Sequence, residues 1–354
     1  MDFGLSSDQV ALQDSVNRFL DEQMNLDAVK AYSAGGDADA CWQGLAELGV
    51  ASLLVPEAQG GVGLSALDAA LVAECLGAHA APGPYIGSAV VAPLALLHAR
   101  EALRERWLGA LMDGTVSAGL AFSELAGARA DAGVNASNGK LSGRAMFVLD
   151  PLAALQVVAT REKHLYLVES AAAGLESRVL TTIDRTRACG ELRFSETPAE
   201  LLSDDPQHTA ALLDHARVML VADTVGAAQH MLDAAVAYAK DRKQFNRVIG
   251  SFQSVKHLCA EMAAELEPCR AMLWYAAYAL GELPAEASLT ACHTKAHVAE
   301  VGTFVARTAT EVHGGVGFTD LLGLHYWFKR IGFNRQALGA PELVREQAAR
   351  LQTL

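Results

Sequence analysis

Apolar side chains recur every three or four residues at both ends of the 354-residue chain, which predicts helices there. The first helix is expected to begin near Ser7, because Ser6 and Gln9 form a capping-box pattern. Near the other end, residues 285–311 predict one long Ala-rich helix. Pro268 falls inside another apolar helical pattern and is expected to kink or divide that helix.

The pattern changes in the middle of the chain, where short β-rich segments separated by turn residues replace the helical spacing. This spacing predicts a compact antiparallel β domain with strands over 116–122, 140–149, 155–159, 164–168, 178–183 and 191–194. The helical pattern returns near Asp204. The predicted fold class is therefore mainly α with a central β domain, divided into residues 1–113, 114–203 and 204–354.

Composition restricts the classes of function. The formal net charge is −13 and the acidic residues are dispersed, which argues against a nucleic-acid binder. No run of about eighteen apolar residues occurs, so no membrane span is expected, and the first residues lack the basic segment of a secretory signal. A cytoplasmic location is the default expectation. The six cysteines lack the spacing of a metal site, so they are interpreted as reduced, buried thiols.

The candidate chemistry lies in residues 241–257, which read DRKQFNRVIGSFQSVKH and connect two helical patterns. This connection carries cations, an amide and an aromatic ring: Arg242, Lys243, Arg247, Gln244 and Phe245. Guanidinium groups form planar bidentate contacts with phosphate, so the set suits the pyrophosphate and adenine of a nucleotide. On composition alone, a solvated charged hairpin is the more common explanation of such a segment.

The motif Arg242-x-Gln244-Phe245, followed by Phe252-Gln253, resembles the acyl-CoA dehydrogenase family of flavoproteins. The helix–β–helix order of the whole chain also resembles that family's fold, which has an N-terminal helical domain, an antiparallel β domain and a C-terminal four-helix bundle. In the family, this connection crosses a dimer interface and holds the ADP part of the neighbouring subunit's FAD. The resemblance implies FAD as cofactor, with Arg242, Gln244, Phe245 and Gln253 among its ligands.

Two glycine-rich segments are similar to the family as well. Residues 56–64 resemble its P-E-x-x-G-G-x-G loop, although a turn in which glycines supply positive φ also explains them. Residues 313–319 alone would be a helix C-cap turn, but the resemblance makes Gly314 and Gly315 part of the FAD site. Glu311 stands where the family usually has Gln, which weakens its assignment as a ligand.

The chain lacks the family's catalytic carboxylate at both of the usual places. Acyl-CoA dehydrogenation requires a base that removes the α-proton while the β-hydrogen leaves as hydride to the flavin. Matching residues 342–350 to the family's last helix puts Leu338 at the usual glutamate position. The second place, one residue before the helical Arg217, holds Ala216. No catalytic residue is therefore assigned, and the resemblance implies substrate contact for Arg217.

Asp214 and Asp223 lie on the same predicted helix as Ala216 and are the available substitutes for the base. A shorter carboxylate displaced by about two turns would miss a geometry that tolerates about 1 Å. Both are therefore expected on a solvated helix face.

The segments that would hold the flavin ring also depart from the family. Residues 123–125 read Ser-Glu-Leu in place of Thr-Glu-Pro, and Ala128 replaces the serine of the following Ala-Gly-Ser. Phe147 is kept, but Leu149 replaces the hydroxyl residue expected two positions later. Hydrogen bonds to the isoalloxazine are therefore expected to be depleted.

These features predict the base-lacking subunit of an α2β2 acyl-CoA dehydrogenase, which lends its Arg242 connection to an FAD shared with a catalytic partner subunit. The resemblance implies a bulky acyl-CoA substrate, such as a steroid side-chain thioester, and an electron-transfer flavoprotein as acceptor. Any oligomer is expected to pack through the C-terminal helices. Two alternatives remain: a self-sufficient homotetramer whose base is unlocated, and a non-catalytic binding or scaffold homologue.

Overall fold

The computed structural model describes residues 4–127 and 130–352, and it begins with six helices. They are α1 (Ser7–Gln23), α2 (Leu26–Ser33), α3 (Asp39–Glu47), α4 (Ala66–Ala78), α5 (Ala92–His98) and α6 (Glu101–Met112). A π-helical segment, Ile86–Val91, leads directly into α5. The capping box is formed, since the side-chain oxygens of Ser6 and Gln9 each accept a hydrogen bond from the other residue's backbone N–H. The predicted start of α1 is confirmed.

The middle of the chain forms an eight-stranded sheet. Its strands are β1 (Ala118–Ala121), β2 (Gly133–Ser137), β3 (Lys140–Leu149), β4 (Leu155–Ala159), β5 (Leu165–Glu169), β6 (Leu175–Val179), β7 (Cys189–Pro198) and β8 (Glu200–Ser203). The sequence pattern missed β2 and β8 and placed β6 too late. The residues of β6 are mostly exposed, so this strand has no alternation of apolar and polar positions to detect.

The described strand pairs of this sheet are antiparallel, as predicted, with the exception of β1, which pairs in parallel with β4. A short turn joins β3 to β4, so these two strands run in opposite directions, and they flank β1 on its two sides. Since β1 is antiparallel to β3, it must be parallel to β4. The mixed sheet follows from this connection.

The C-terminal part is helical again. It comprises α7 (Pro206–Asp241), α8 (Gln253–Glu282), α9 (Pro284–His313), α10 (Leu324–Gln336) and α11 (Pro341–Leu351). Helix α8 continues through Pro268, so this residue does not divide the helix, and the predicted alternative of a kink stays a prediction. Leu266 and Cys269 beside it are buried, so packing holds the helix together despite the lost hydrogen bond. No helix of the described ranges is long and apolar enough to cross a membrane.

Helices α4 and α7 cross at close range through two glycines. A Cβ atom on Gly226 would lie 1.9 Å from the carbonyl oxygen of Glu74, and one on Gly77 would lie 1.9 Å from that of Asp223. Any side chain at either position would force the helices apart. The crossing therefore fixes the centre of α7, the helix that leads to the connection at 241–257.

Asp223 is buried on this helix, so the prediction that it lies on a solvated face is wrong. Its carboxylate accepts hydrogen bonds from Arg330 at 2.6 and 2.9 Å, from Arg187 at 2.8 Å and from Asn334 at 2.6 Å. Burial opposes the charged form, but Arg330 and Arg187 outweigh burial and lower the pKa of Asp223 to about 2. Asp223 is therefore a structural ion-pair residue that joins α7 to α10.

Candidate functional site

The connection between α7 and α8 is an exposed β-hairpin. Strand β9 (Lys243–Gln244) pairs with β10 (Arg247–Val248), and Phe245 and Asn246 form the turn. Both turn residues have positive φ, +52° and +62°, which is the geometry of a two-residue type I′ turn. Phe245 points outward with 88% of its surface exposed, and Phe252 contacts it edge-on, with ring centroids 6.2 Å apart.

The residues assigned to FAD on this hairpin present their polar groups to solvent. Arg242 is exposed, and in the described part of the chain its guanidinium has neither an ion pair nor a hydrogen bond. The amide nitrogen of Gln244 donates only to the adjacent carbonyl of Lys243, at 2.8 Å. Gln253 is exposed in the first turn of α8, where helix N–H groups favour an anion. These groups are available to a ligand or a partner.

The second glycine segment lies at the same end of the bundle. His313, the last residue of α9, stacks on Tyr238 of α7 with ring centroids 4.7 Å apart. Tyr238 lies one turn before the hairpin, and Gly314 and Gly315 follow His313 directly. Both glycines are exposed, and a Cβ atom built on either would meet nothing within 4 Å. Glu311, one turn earlier, is also exposed. The structure thus brings cations and open glycine backbone to one end of the bundle.

A cavity of about 460 Å³ lies between the sheet and the helices α10 and α11. Residues at the ends of β1 and β3 line one side, and α10, Ala337, Leu338, Ala340 and Leu343 line the other. Among the described residues, its walls contain no carboxylate and no cation. The polar side chains in the lining are Ser123, Thr182 and Gln336. None of the described lining side chains could therefore remove an α-proton.

Leu338, at the family's usual base position, lines this cavity in a left-handed conformation with φ of +55°. Such a conformation costs a non-glycine residue about 1–3 kcal/mol and persists only where the surroundings hold it. Two buried cations hold this turn. Arg217 Nε donates to the Leu338 carbonyl at 2.9 Å, and Lys295 Nζ donates to the carbonyls of Asn334 and Arg335 at 2.7 and 3.2 Å.

Lys295 was missed by the sequence prediction. The sequence feature that could have identified it is a single lysine in the Ala-rich pattern of α9, at a position that is buried in the structure. Burial lowers the pKa of Lys295 to about 7, and the nearby charges of Arg217 and Arg335 act in the same direction. The side chain satisfies the C-terminal carbonyls of α10, a role suited to a lysine.

Arg217, expected at the substrate, lies buried beneath the Leu338 turn and is not among the cavity-lining residues. Its Nη1 lies 3.6 Å from Asp214, and its buried Nη2 has no hydrogen-bond partner among the described residues. Asp214 is buried too and accepts a hydrogen bond from Ser288, so its predicted solvated position is wrong. Burial raises the pKa of Asp214. Ala216 is also buried, and substrate contact by Arg217 stays a prediction.

Helix α7 explains both errors about its aspartates. Most of its central residues are buried, because α4, α8, α9 and α10 all pack against it. A charged residue on such a helix cannot be assumed to face solvent. Asp214 and Asp223 instead pair with arginines inside the protein.

The cavity's hydroxyl groups are already satisfied inside the protein. Ser123 Oγ donates to the carbonyl of Met146 and accepts its N–H, and Thr182 Oγ1 donates to the carbonyl of Asp184. Phe147 reaches the cavity, whereas Leu149 is buried in the sheet. Ala128, where the family has serine, lies outside the described residues.

These walls do not fit the polar edge of an isoalloxazine ring. Burying an unpaired polar group costs about 1–3 kcal/mol, and among the polar side chains in the described lining only Gln336 has no internal hydrogen bond. The exposed hairpin and the glycine segment, by contrast, fit the ADP end of FAD.

Known proteins share this architecture. The acyl-CoA dehydrogenase N-terminal domain matches residues 6–115, and the C-terminal domain matches residues 207–352. Acyl-CoA dehydrogenase IpdE2 of Mycobacterium tuberculosis is 30% identical, over 97% of this chain and 95% of its own length. A variant of the Tcur3481–Tcur3483 steroid acyl-CoA dehydrogenase is 26% identical, with a TM-score of 0.88 over 98% of each chain.

The ChsE4–ChsE5 complex from Mycobacterium tuberculosis contains a chain of the same fold, with a TM-score of 0.89 and 24% identity over 100% of this chain and 98% of its own. The predicted fold class is confirmed by these matches and by the helix–sheet–helix order of the structure. The chain belongs to the acyl-CoA dehydrogenase family, whose cofactor is FAD.

Proposed function

We propose that this chain is the base-lacking subunit of a heteromeric acyl-CoA dehydrogenase and lends its hairpin to an FAD held mainly by a catalytic partner subunit. The observation that carries the proposal is the cavity at Leu338, whose described lining residues include no carboxylate. A chain that dehydrogenated acyl-CoA by itself would need a base there or beside Arg217. Both places are apolar, and Asp214 is tied to Ser288 and Arg217 away from the cavity lining.

The hairpin has the properties of a cofactor contact made in trans. Arg242 and Gln244 lie outside the chain's own cavity lining, yet they are exposed and unengaged with other elements of the described structure. In the complex, Arg242 would contact the pyrophosphate, while Gln244, Phe245 and Gln253 would contact the rest of the ADP part. Gly314 and Gly315 would allow close approach of backbone N–H groups to the same region.

In catalysis this chain would bind and orient the cofactor. FAD, when bound, supplies the acceptor for the β-hydrogen of the acyl-CoA thioester. The hairpin would fix the ADP end, and a carboxylate of the partner subunit would remove the α-proton. Arg217 would contribute by holding the Leu338 turn. The division into residues 1–113, 114–203 and 204–354 belongs to this proposal, with the last segment carrying the shared contacts.

The similar proteins support a substrate class and a partner. The Tcur3481–Tcur3483 enzyme is a steroid acyl-CoA dehydrogenase, which favours a bulky acyl-CoA such as a steroid side-chain thioester for this chain. ChsE4–ChsE5 is a complex of two chains, which favours a second acyl-CoA dehydrogenase-like subunit in an α2β2 assembly. An electron-transfer flavoprotein would then reoxidise the flavin. We propose a cytoplasmic location for this assembly.

Reconstitution of activity tests the proposal. The chain, a candidate catalytic subunit of the acyl-CoA dehydrogenase family, and the co-expressed pair would each be assayed with a steroid side-chain CoA thioester and an artificial electron acceptor. We expect turnover by the pair and none by this chain alone. Turnover by this chain alone would refute the proposal and favour a homotetramer with a base elsewhere.

A further inference from the structure

We propose that a second cavity, which lies between the N-terminal helices and the sheet, binds a small organic cation with a primary ammonium group and an oxygen acceptor. This Asp150 cavity is named for a carboxylate in its wall. Among the described residues it shares no lining residue with the cavity at Leu338, because it meets β1 at the other end of that strand. The site goes beyond the proposed function and does not depend on the shared FAD.

The Asp150 cavity has the size of a small-molecule site. Its volume is about 530 Å³, and small-molecule sites begin at about 300 Å³. Its lining comes from α2, α3 and their connection, from Gly83 and Pro84, from residues before β1, and from the β3–β4 turn. Among the described residues, no group of histidine, cysteine, aspartate and glutamate side chains could hold a metal ion. A molecule is therefore favoured over a metal ion as the ligand.

Every charged side chain in the described lining of this cavity is acidic: Asp37, Asp39 and Asp150. Asp37 accepts the backbone N–H of Asp39 at 2.9 Å, and both residues are exposed. The carboxylates of Asp39 and Asp150 have no ion pair and no hydrogen bond in the described part of the chain. Acidic walls attract a positively charged ligand, and unpartnered carboxylates accept its N–H donors.

The backbone of Asp150 is fixed, although its carboxylate has no partner. Its N–H donates to the Ala188 carbonyl at 3.1 Å, and its carbonyl accepts from the Ala153 N–H and from the Gln156 amide, both at 3.1 Å. The residue has a left-handed conformation with φ of +54°, which aspartate tolerates better than most residues. These contacts position the residue before a ligand binds, so binding costs little conformational freedom.

Burial makes the Asp150 carboxylate sensitive to a bound cation. It raises the pKa of Asp150 to about 7, against the opposite effect of Arg187 and Arg330. Both guanidinium groups pair with Asp223, and neither arginine is in the described lining. An ammonium group beside Asp150 would favour the charged carboxylate and lower this pKa. Binding is therefore expected to be stronger above about pH 7 than below it.

Two other titratable groups near Asp150 stay protonated in this pH range. Tyr32 lines the cavity, and burial, with Asp150 adding to it, raises the pKa of its hydroxyl to about 12. Burial and Asp150 likewise raise the pKa of the Cys189 thiol to about 12, and the charge of Asp184 acts in the same direction on both groups. Neither group therefore contributes to the expected pH dependence.

The wall of the Asp150 cavity also holds an unpartnered hydrogen-bond donor. Trp42 is 4% exposed, and its buried Nε1 has no hydrogen-bond partner among the described residues. This nitrogen lies against the lining residue Gly114, since a Cβ atom on Gly114 would lie 3.5 Å from it. Gln43 fixes this wall, because its Nε2 donates to the Gly114 carbonyl at 2.8 Å. An unpaired buried donor costs about 1–3 kcal/mol, so a ligand oxygen that accepted this N–H would favour binding.

Two kinds of molecule carry this combination of groups. A free amino alcohol has an ammonium group and a hydroxyl, whereas a lysine residue of a bound protein has an ammonium group and a backbone carbonyl. Both present the same chemistry to Asp150 and Trp42. Occupancy in the isolated chain and in the co-expressed pair distinguishes them.

Isothermal titration calorimetry with 5-aminopentanol tests the site. We expect one saturable site per isolated chain at about pH 8, and about tenfold weaker binding at about pH 6, where Asp150 gains a proton. Pentanediol lacks the charge and should not bind. Aminopentane lacks the oxygen acceptor and should bind at least about threefold more weakly.

Three substitutions locate the site. Asp150→Asn should weaken binding at least about tenfold and remove the difference between the two pH values. Trp42→Phe keeps an aromatic ring but removes the N–H, so aminopentanol and aminopentane should bind this variant equally. Asp14→Asn is the matched control, because it removes an exposed carboxylate of α1 outside the described lining, and it should leave binding unchanged.

Binding to both the isolated chain and the pair would assign the site to a free amine, and binding to the isolated chain alone would assign it to a lysine of the partner subunit. Absence of saturable binding to the isolated chain would overturn the proposal. A response to Asp150→Asn no larger than that to Asp14→Asn would also overturn it, since the amine would then sense only net charge. If Trp42→Phe fails to fold, Asp150→Asn and pentanediol keep the test valid. None of these outcomes involves flavin content, so failure here leaves the proposed function standing.

Discussion

Arg242→Ala tests whether the Arg242 guanidinium binds the cofactor or stabilises the fold. The backbone of Arg242 is held by hydrogen bonds of 2.8 Å to the Tyr238 carbonyl and from the Ile249 N–H, and an alanine keeps both. The guanidinium is exposed and has no hydrogen bond or ion pair in the described ranges. Its removal should therefore change the free energy of unfolding by less than about 0.5 kcal/mol.

The same substitution should weaken FAD binding strongly in the co-expressed pair. A hydrogen bond to a charged group contributes about 1.5–3 kcal/mol. Since about 1.4 kcal/mol corresponds to a factor of ten, the dissociation constant for FAD should rise about ten- to 150-fold. Titration of the FAD-depleted pair with FAD, followed by quenching of flavin fluorescence, measures this constant.

Arg18→Ala is the matched control, because Arg18 is an exposed guanidinium on α1, far along the chain from the hairpin. It should leave both FAD affinity and stability unchanged. An unaltered FAD dissociation constant for Arg242→Ala would refute the assignment of the hairpin. If Arg242→Ala lowered the free energy of unfolding by as much as it lowered the free energy of FAD binding, the argument that the guanidinium has no structural role would be refuted.

Three further substitutions test the fold and the cavity. The folded pKa of Asp223 is about 2, below the ordinary 3.8, so the stability that its charge confers is complete above about pH 4 and disappears as the pH falls toward about 2. Asp223→Asn should lower the free energy of unfolding at pH 7 by about 3 kcal/mol and flatten its acid dependence in urea titrations; an unchanged acid dependence would contradict the ion-pair network. Leu338→Glu should destabilise the chain by about 2 kcal/mol, because it buries a carboxylate. The variant alone should give no acyl-CoA turnover, since the described cavity lining still lacks hydrogen-bond partners for a flavin. Turnover by the variant alone would contradict the account of the cavity. Gly226→Ala should lower the free energy of unfolding by at least about 1–3 kcal/mol, because its Cβ would lie 1.9 Å from the Glu74 carbonyl oxygen. Gly281→Ala is the control and should raise the free energy of unfolding by about 0.5–1 kcal/mol, because a Cβ there would meet nothing within 4 Å. Equal effects of the two substitutions in calorimetry would contradict the close helix crossing.

The sequence pattern correctly predicted features that depend only on residues close together in the sequence. The capping box at Ser6 located the start of α1, and residues 241–257 were correctly predicted to connect two helices. The two short strands and the type I′ turn within that connection were not predicted, because Phe245-Asn246 lacks the glycine that usually marks such a turn.

Features that depend on distant residues were beyond prediction. The parallel pairing of β1 with β4 depends on which side of β1 each strand lies, and this is not encoded in strand spacing. The burial of Asp214 depends on helices that surround α7 from other parts of the chain. The carbonyl contacts of Lys295 join residues about 40 positions apart, so the sequence gives no sign of their purpose.

The FAD content of purified samples tests the central claim most directly. Flavin absorbance would be measured for this chain alone and for the pair obtained by co-expression with a candidate catalytic subunit of the acyl-CoA dehydrogenase family. We predict a colourless chain and one FAD for each pair. A chain that retains a full equivalent of FAD by itself and reduces it with acyl-CoA would contradict the shared-site account.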